Sequence, residues 1–122
     1  MVSKKRILCV DDEYPIRVLL KHQLEGEGYE VETADDGDVA IRMLEQSGYD
    51  ILLLDIRMQR VSGINVLRRV KELGLLCRVI MLTAVDDLSV AVECVKLGAN
   101  DYLTKPFDTE ALLDSIRRVS AV

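Results

Sequence analysis

The sequence predicts an α/β fold, a parallel sheet covered by helices on both faces. Five short apolar runs alternate with five segments of helical period, and that alternation builds parallel sheets. The third run, residues 51–54, is wholly apolar, as a central strand buried on both sides must be. Four of the five runs stop in polar residues: Asp11 and Asp12, Asp55, Thr83, and Lys105. In open sheets of this class, ligands bind beyond the carboxyl ends of the strands, so those residues mark the expected site.

Residues 7–10 are a short apolar run that breaks at Asp11, and they read as a buried strand. Pro15 follows where a first helical turn accepts its fixed φ. Ile16, Leu19, Leu20 and Leu24 continue at helical spacing until Gly26 and Gly28. Residues 29–34 alternate, with Val31 and Thr33 on one face and Glu30 and Glu32 on the other, which suits an edge strand. Asp36 is placed to cap a second helix carrying Ala40, Met43 and Leu44, and Gly48 is expected to end it. Ser62 or Gly63 opens a third helix bearing Ile64, Leu67, Val70 and Leu73. Residues 78–82 form the fourth strand and run into Thr83. Asp86 and Asp87 precede a fourth helix with Val90, Ala91, Cys94 and Val95, closed by Gly98. Tyr102 and Leu103 lie in a short fifth strand. Asp108 caps a last helix with Leu112, Leu113, Ile116 and Val119. No linker, repeat or low-complexity stretch interrupts this order, so residues 1–122 read as one domain.

Composition bounds the function. The 122 residues are 49% hydrophobic, enough for a core without disulfides, and 30% charged. A net charge of −5, with basic residues dispersed among acids, argues against direct nucleic-acid binding by this domain. No apolar run approaches the ~18 residues of a membrane span. The basic start is followed by too short an apolar stretch for a secretory signal, so a cytoplasmic location is expected. Cys9, Cys77 and Cys94 are odd in number and widely spaced, and they read as buried thiols. His22, between Lys21 and Gln23 on the first helix, reads as a surface residue.

Taken singly, an Asp after a strand is usually a turn former or a cap. Their coincidence at one sheet edge says more. Neighbouring strands lie ~4.8 Å apart, so adjacent first and third strands would crowd three carboxylates together. Such crowding raises their pKa values unless a cation offsets it. Mg²⁺, a hard ion with oxygen ligands, is the expected cofactor, and Lys105 adds a further positive charge. Asp55, single and central, is the expected nucleophile for a phosphoryl group. The pair Asp11 and Asp12 suits metal binding, and Thr83 offers a hydroxyl to a phosphoryl oxygen.

These residues carry a resemblance. Ile7-Leu8-Cys9-Val10-Asp11-Asp12-Glu13, Asp50-Ile51-Leu52-Leu53-Leu54-Asp55, Met81-Leu82-Thr83-Ala84, and residues 98–107 through Lys105-Pro106-Phe107 each fall at a strand end. Together they resemble the receiver domain of two-component response regulators, along almost the whole chain. The resemblance implies a flavodoxin-like, doubly wound five-stranded sheet of order 2-1-3-4-5 with five helices. It implies that Asp55 accepts a phosphoryl group from a phosphohistidine on a sensor histidine kinase or phosphotransfer protein. Mg²⁺ would be held by Asp11, Asp12, Asp55 and the backbone carbonyl of Arg57. Lys105 would touch the phosphoryl group, Thr83 would hydrogen-bond it, and Ala84 would leave room for it. Thr83 and Tyr102 would form a switch pair, and the Lys105–Pro106 peptide would be cis.

The resemblance further implies a partner face, and a homodimer, made by the fourth helix, fifth strand and fifth helix. Tyr14 and the first helix would belong to the kinase-docking face. Receivers of this kind occur alone or within longer proteins that carry DNA-binding, ATPase or enzymatic domains. The reaction on Asp55 is self-modification, so the chain is expected not to be an enzyme with a released product. Two features stand apart from the usual pattern. Gln59 follows Met58 where proline is frequent, and Arg57 places a long cation near the acidic site, where it is expected to slow or reshape hydrolysis of the phosphoryl group. The competing reading is a receiver-like binding module that is never phosphorylated. A dehalogenase-type phosphatase would need Asp-x-Asp after the first strand and a cap domain, and a nucleotide binder would need a glycine-rich loop after Val10.

Overall fold

The computed structural model describes residues 4–121; the basic start invoked above lies partly outside them, at residues 1–3. Strands β1 (Arg6–Val10), β2 (Glu30–Ala34), β3 (Ile51–Asp55), β4 (Arg78–Thr83) and β5 (Asp101–Thr104) alternate with helices α1 (Tyr14–Gly26), α2 (Gly37–Gln46), α3 (Gly63–Glu72), α4 (Leu88–Lys96) and α5 (Thr109–Ser120). A short 3₁₀ turn, Val85–Asp87, precedes α4. All strand pairs are parallel, in the order β2-β1-β3-β4-β5, as the resemblance implied.

The core is two-sided because strand side chains alternate faces. Leu8, Val10, Leu52, Leu54, Val79 and Met81 pack on one face with Ala40, Leu44, Val66, Leu67, Val70 and Cys94 from α2, α3 and α4. Ile7, Cys9, Ile51, Leu53, Ile80 and Leu82 pack on the other with Leu20, Leu24, Leu112 and Ile116 from α1 and α5. All five β3 residues are buried, which explains the unbroken apolar run at residues 51–54. The three cysteines are buried and free.

Element starts follow local chemistry. Asp36 accepts from the Val39 amide at 2.9 Å, and Asp108 accepts from the Ala111 amide at 2.8 Å, so both cap the helices expected of them. Ser62 takes the cap position of α3 without a side-chain bond. Gly98 closes α4 with a positive φ of 112°, a conformation open to glycine. Helix α2 closes at Ser47, one residue before the expected Gly48. Leu19 and Val95, grouped by spacing with apolar stripes, are 50% and 43% exposed. Each lies at the rim of its stripe, where 100° per residue carries it off the buried face.

The order 2-1-3 sets the site. From β1 the chain moves to β2 on one side, then returns past β1 to β3 on the other. Right-handed crossovers then place α1 and α2 on opposite faces. A crevice opens between the carboxyl ends of β1 and β3, where those helices part.

Candidate functional site

Asp11 is the first residue after β1, and its amide donates to the Ala34 carbonyl at 3.2 Å. Its side chain is fully buried, with Oδ1 accepting from the Glu13 amide at 2.9 Å and Oδ2 from Lys105 Nζ at 2.9 Å. Asp55 ends β3 and is 7% exposed. Lys105 Nζ also lies 3.5 Å from Asp55 Oδ1, so one ammonium sits between two carboxylates. Asp12 completes the cluster: Asp11, Asp12 and Asp55 each offer a carboxylate oxygen within 4.8 Å of the others. Hard oxygen donors in that number could hold a divalent cation.

Burial pushes the Asp55 carboxyl up to about 6; Lys105 counters that rise, while Asp11 and Asp12 add to it. Burial pulls Lys105 down, yet its hydrogen bond to Asp11 and the charges of Asp55 and Asp11 outweigh that and raise it. The cluster thus carries more negative charge than one lysine neutralises, which favours a cation.

Thr83 ends β4, beside β3, and is 1% exposed. Its hydroxyl donates to the Ala84 carbonyl at 3.0 Å. Lys105 is tied to the same strand end, its amide donating to the Thr83 carbonyl at 2.7 Å. The Lys105–Pro106 peptide is cis. Tyr102, opposite Met81 on β5, stands farther from the cluster and is 37% exposed. His22 is exposed, and Tyr14 is exposed on α1.

A cleft of about 230 Å³ adjoins the cluster, lined by Asp12, Arg17, Asp35, Asp36, Gln59 and Arg60. Gln59, the residue in the usual proline position, therefore faces the site's entrance. A larger cavity of about 530 Å³ opens at the opposite sheet edge among Leu44, Tyr49, Leu75 and Cys77, and contains none of the acidic cluster. Volume alone would have chosen the wrong end of the molecule; the convergence of charge decides otherwise.

Two features of the site were not read from the sequence. Gly63 approaches the backbone below Asp55 so closely that a Cβ there would meet the Asp55 carbonyl oxygen at 2.2 Å. Its amide also donates to the Ile56 carbonyl at 2.8 Å. The second feature concerns Asp87, which makes no cap bond to α4. Both its oxygens accept from the Arg57 guanidinium, at 2.6 Å from Nε and 2.5 Å from Nη2. The Arg57 side chain expected near the acidic cluster is thus held by Asp87. The sequence placed Asp87 only as an acid ahead of the fourth helix, and nothing in the spacing paired it with Arg57.

The model of the response regulator receiver domain family matches residues 7–117. The chain belongs to that family. The receiver is 42% identical over 115 residues to the transcriptional regulatory protein TrcR of Mycobacterium tuberculosis, covering 94% of this chain and 45% of TrcR. It is 39% identical over 121 residues to the alkaline phosphatase synthesis transcriptional regulatory protein PhoP of Bacillus subtilis, covering 97% of this chain and 50% of PhoP. The chain thus spans about half the length of the curated relatives it matches. Among solved structures, the chemotaxis protein CheY4 of Vibrio cholerae superposes with a TM-score of 0.90 at 32% identity, covering 96% of this chain and 99% of that one. The receiver domain of NtrX from Brucella abortus also scores 0.90 at 32% identity, covering 95% and 98%.

The functional class follows: a phosphorylation-dependent switch of two-component signalling. Receivers are signalling proteins and act with histidine kinases. No helix among the described residues is long and apolar enough to cross a membrane.

Proposed function

We propose that Asp55 is the phosphoacceptor of this receiver, and that Mg²⁺ bound by Asp11, Asp12, Asp55 and the Arg57 carbonyl assists the transfer. The observation that carries this reading is the meeting of three carboxylates and Lys105 at the β1/β3 crevice. When bound, Mg²⁺ supplies positive charge to the oxygens of the transferring phosphoryl group. A carboxylate oxygen of Asp55 attacks phosphorus, the P–N bond to the donor histidine breaks, and its electron pair stays on the imidazole. Lys105 shifts from Asp11 and Asp55 to a phosphoryl oxygen, and the Thr83 hydroxyl turns from the Ala84 carbonyl to another. Without the cation burial holds the Asp55 carboxyl up at about 6, and a bound cation would lower it and favour the ionised form that attacks. The product stays on the protein, so the domain modifies itself and turns over no released substrate.

Thr83, once drawn inward, leaves space that Tyr102 fills, which re-presents the face of α4, β5 and α5. Leu88, Val92 and Val95, apolar and exposed along α4, together with Tyr102, support that face as a surface for a homodimer or other partner. Tyr14, Val18 and Leu19 form an exposed apolar patch on α1 that supports kinase docking there. The net charge of −5 favours protein partners over direct contact with nucleic acid, and a cytoplasmic location fits the kinase partner.

The test is incubation with a small acyl phosphate, with and without Mg²⁺, followed by intact-mass measurement. One phosphoryl group should add in the presence of Mg²⁺ and none in Asp55→Asn. No addition, or addition that survives Asp55→Asn, would favour the unphosphorylated binding module instead.

A further inference from the structure

Three carboxylates are buried among the described residues: Asp11, Asp55 and Asp87. The first two belong to the acidic cluster. Asp87 lies on the connection from β4 to α4, four residues past Thr83, with 4% of its side chain exposed. It is spent on one partner, Arg57, through the two-point bond already described. Arg57 lies two residues past Asp55 on the loop into α3. The pair therefore ties the loop of the acceptor to the start of α4.

The two partners are unequal. The Arg57 side chain is 77% exposed, so its guanidinium can leave Asp87 and remain hydrated. With Arg57 in place the Asp87 side chain is almost fully covered, and losing that guanidinium strips its carboxylate of both donors, which is unfavourable unless the 3₁₀ turn Val85–Asp87 shifts to give it others. A phosphoryl group on Asp55 would bring close to two negative charges and three acceptor oxygens to within two residues of Arg57. Guanidinium binds such groups in the same forked manner as it binds a carboxylate. Arg57 then has two competing anions, one on each side of its own loop.

We propose that Asp87 is a positioning residue that holds Arg57 away from Asp55, and that the phosphoryl group draws Arg57 off and so frees the start of α4. This rests on the assignment of Asp55 as acceptor. Arg57 and Asp87 form a latch between the acceptor loop and α4, alongside any movement of Thr83 and Tyr102. Because coupling is reciprocal, an α4 held open by a partner also releases Arg57 toward the phosphoryl group.

The test uses magnesium beryllofluoride, a phosphoryl analogue, on the purified chain, read by amide hydrogen exchange and by affinity. In wild type, amides of residues 85–92 should exchange faster once the analogue binds. In Asp87→Asn they should exchange faster without it, and the analogue should bind about fivefold tighter, the lower end of common coupling factors. Arg57→Gln, which acts from the solvent side, should also speed exchange at residues 85–92. In that background, adding Asp87→Asn should leave affinity unchanged. A change in affinity from Asp87→Asn that is the same with and without Arg57 would overturn the latch, as would exchange at residues 85–92 that ignores both loading and the two variants. Analogue binding that persists in Asp55→Asn would instead remove the acceptor assignment beneath it, so the two failures are distinguishable.

Discussion

Asp55 is kept at the cost of its own solvation. It is nearly buried, beside two other acids, with one lysine in reach. Burial raises its carboxyl to about 6, from 3.8. A folded pKa above the unfolded one means that the folded state holds the extra proton between those values. Stability from this group is then full below about pH 4 and falls as pH rises toward about 6. The loss is at most about 2–3 kcal/mol. Metal-free Asp55→Asn should therefore be more stable than wild type near about pH 7, with the gap closing below about pH 4. Chemical denaturation in chelator across that range checks it, and a gap independent of pH would argue against the burial account. Gly63 makes a second claim at this scale. A Cβ would strike the Asp55 carbonyl oxygen, a backbone atom that cannot swing aside as a side chain can. Gly63→Ala should cost about 1–3 kcal/mol, the usual range for overpacking, and slow phosphorylation by displacing the loop that follows Asp55, the proposed acceptor. Wild-type stability in that variant would contradict the geometry.

Elements in this chain were legible where one local rule dominated. Asp36 and Asp108 stood just before apolar stripes, and each caps its helix through the bond that rule describes. Asp108→Ala should lower stability by about 1 kcal/mol without changing phosphoryl uptake, measured by denaturant melts and acyl phosphate loading. Asp87 shows where the rule stops. It has a cap residue's chemistry and position, but a long-range cation takes both its oxygens. Local sequence cannot announce a partner thirty residues away that lies on another loop. Leu19 and Val95 were ambiguous for a different reason: spacing gives the angle around a helix, not the width of the surface that covers it.

At the scale of the molecule, the unbroken apolar run of β3 forecast a strand covered on both faces, and the two cores that flank it bear that out. The strand order is harder to read, since alternation alone permits several arrangements of a parallel sheet. It came from the resemblance, carried by the apolar strands together with the polar residues that end them. That same order is what gathers Asp11, Asp12, Asp55 and Lys105, separated by up to 94 residues, into one crevice. The site was thus legible as a set of residue types at strand ends, while the loop contacts of Gly63 and Arg57 were not. The central claim concerns one carboxylate, and it can be tested at that resolution. The chain, loaded from acyl phosphate with Mg²⁺, is reduced with borohydride, which converts an acyl-phosphorylated Asp to homoserine, and its peptides are mapped by mass spectrometry. Conversion at Asp55, with none at Asp11, Asp12 or Asp87, is the predicted result; conversion at any other acid with Asp55 intact would contradict it.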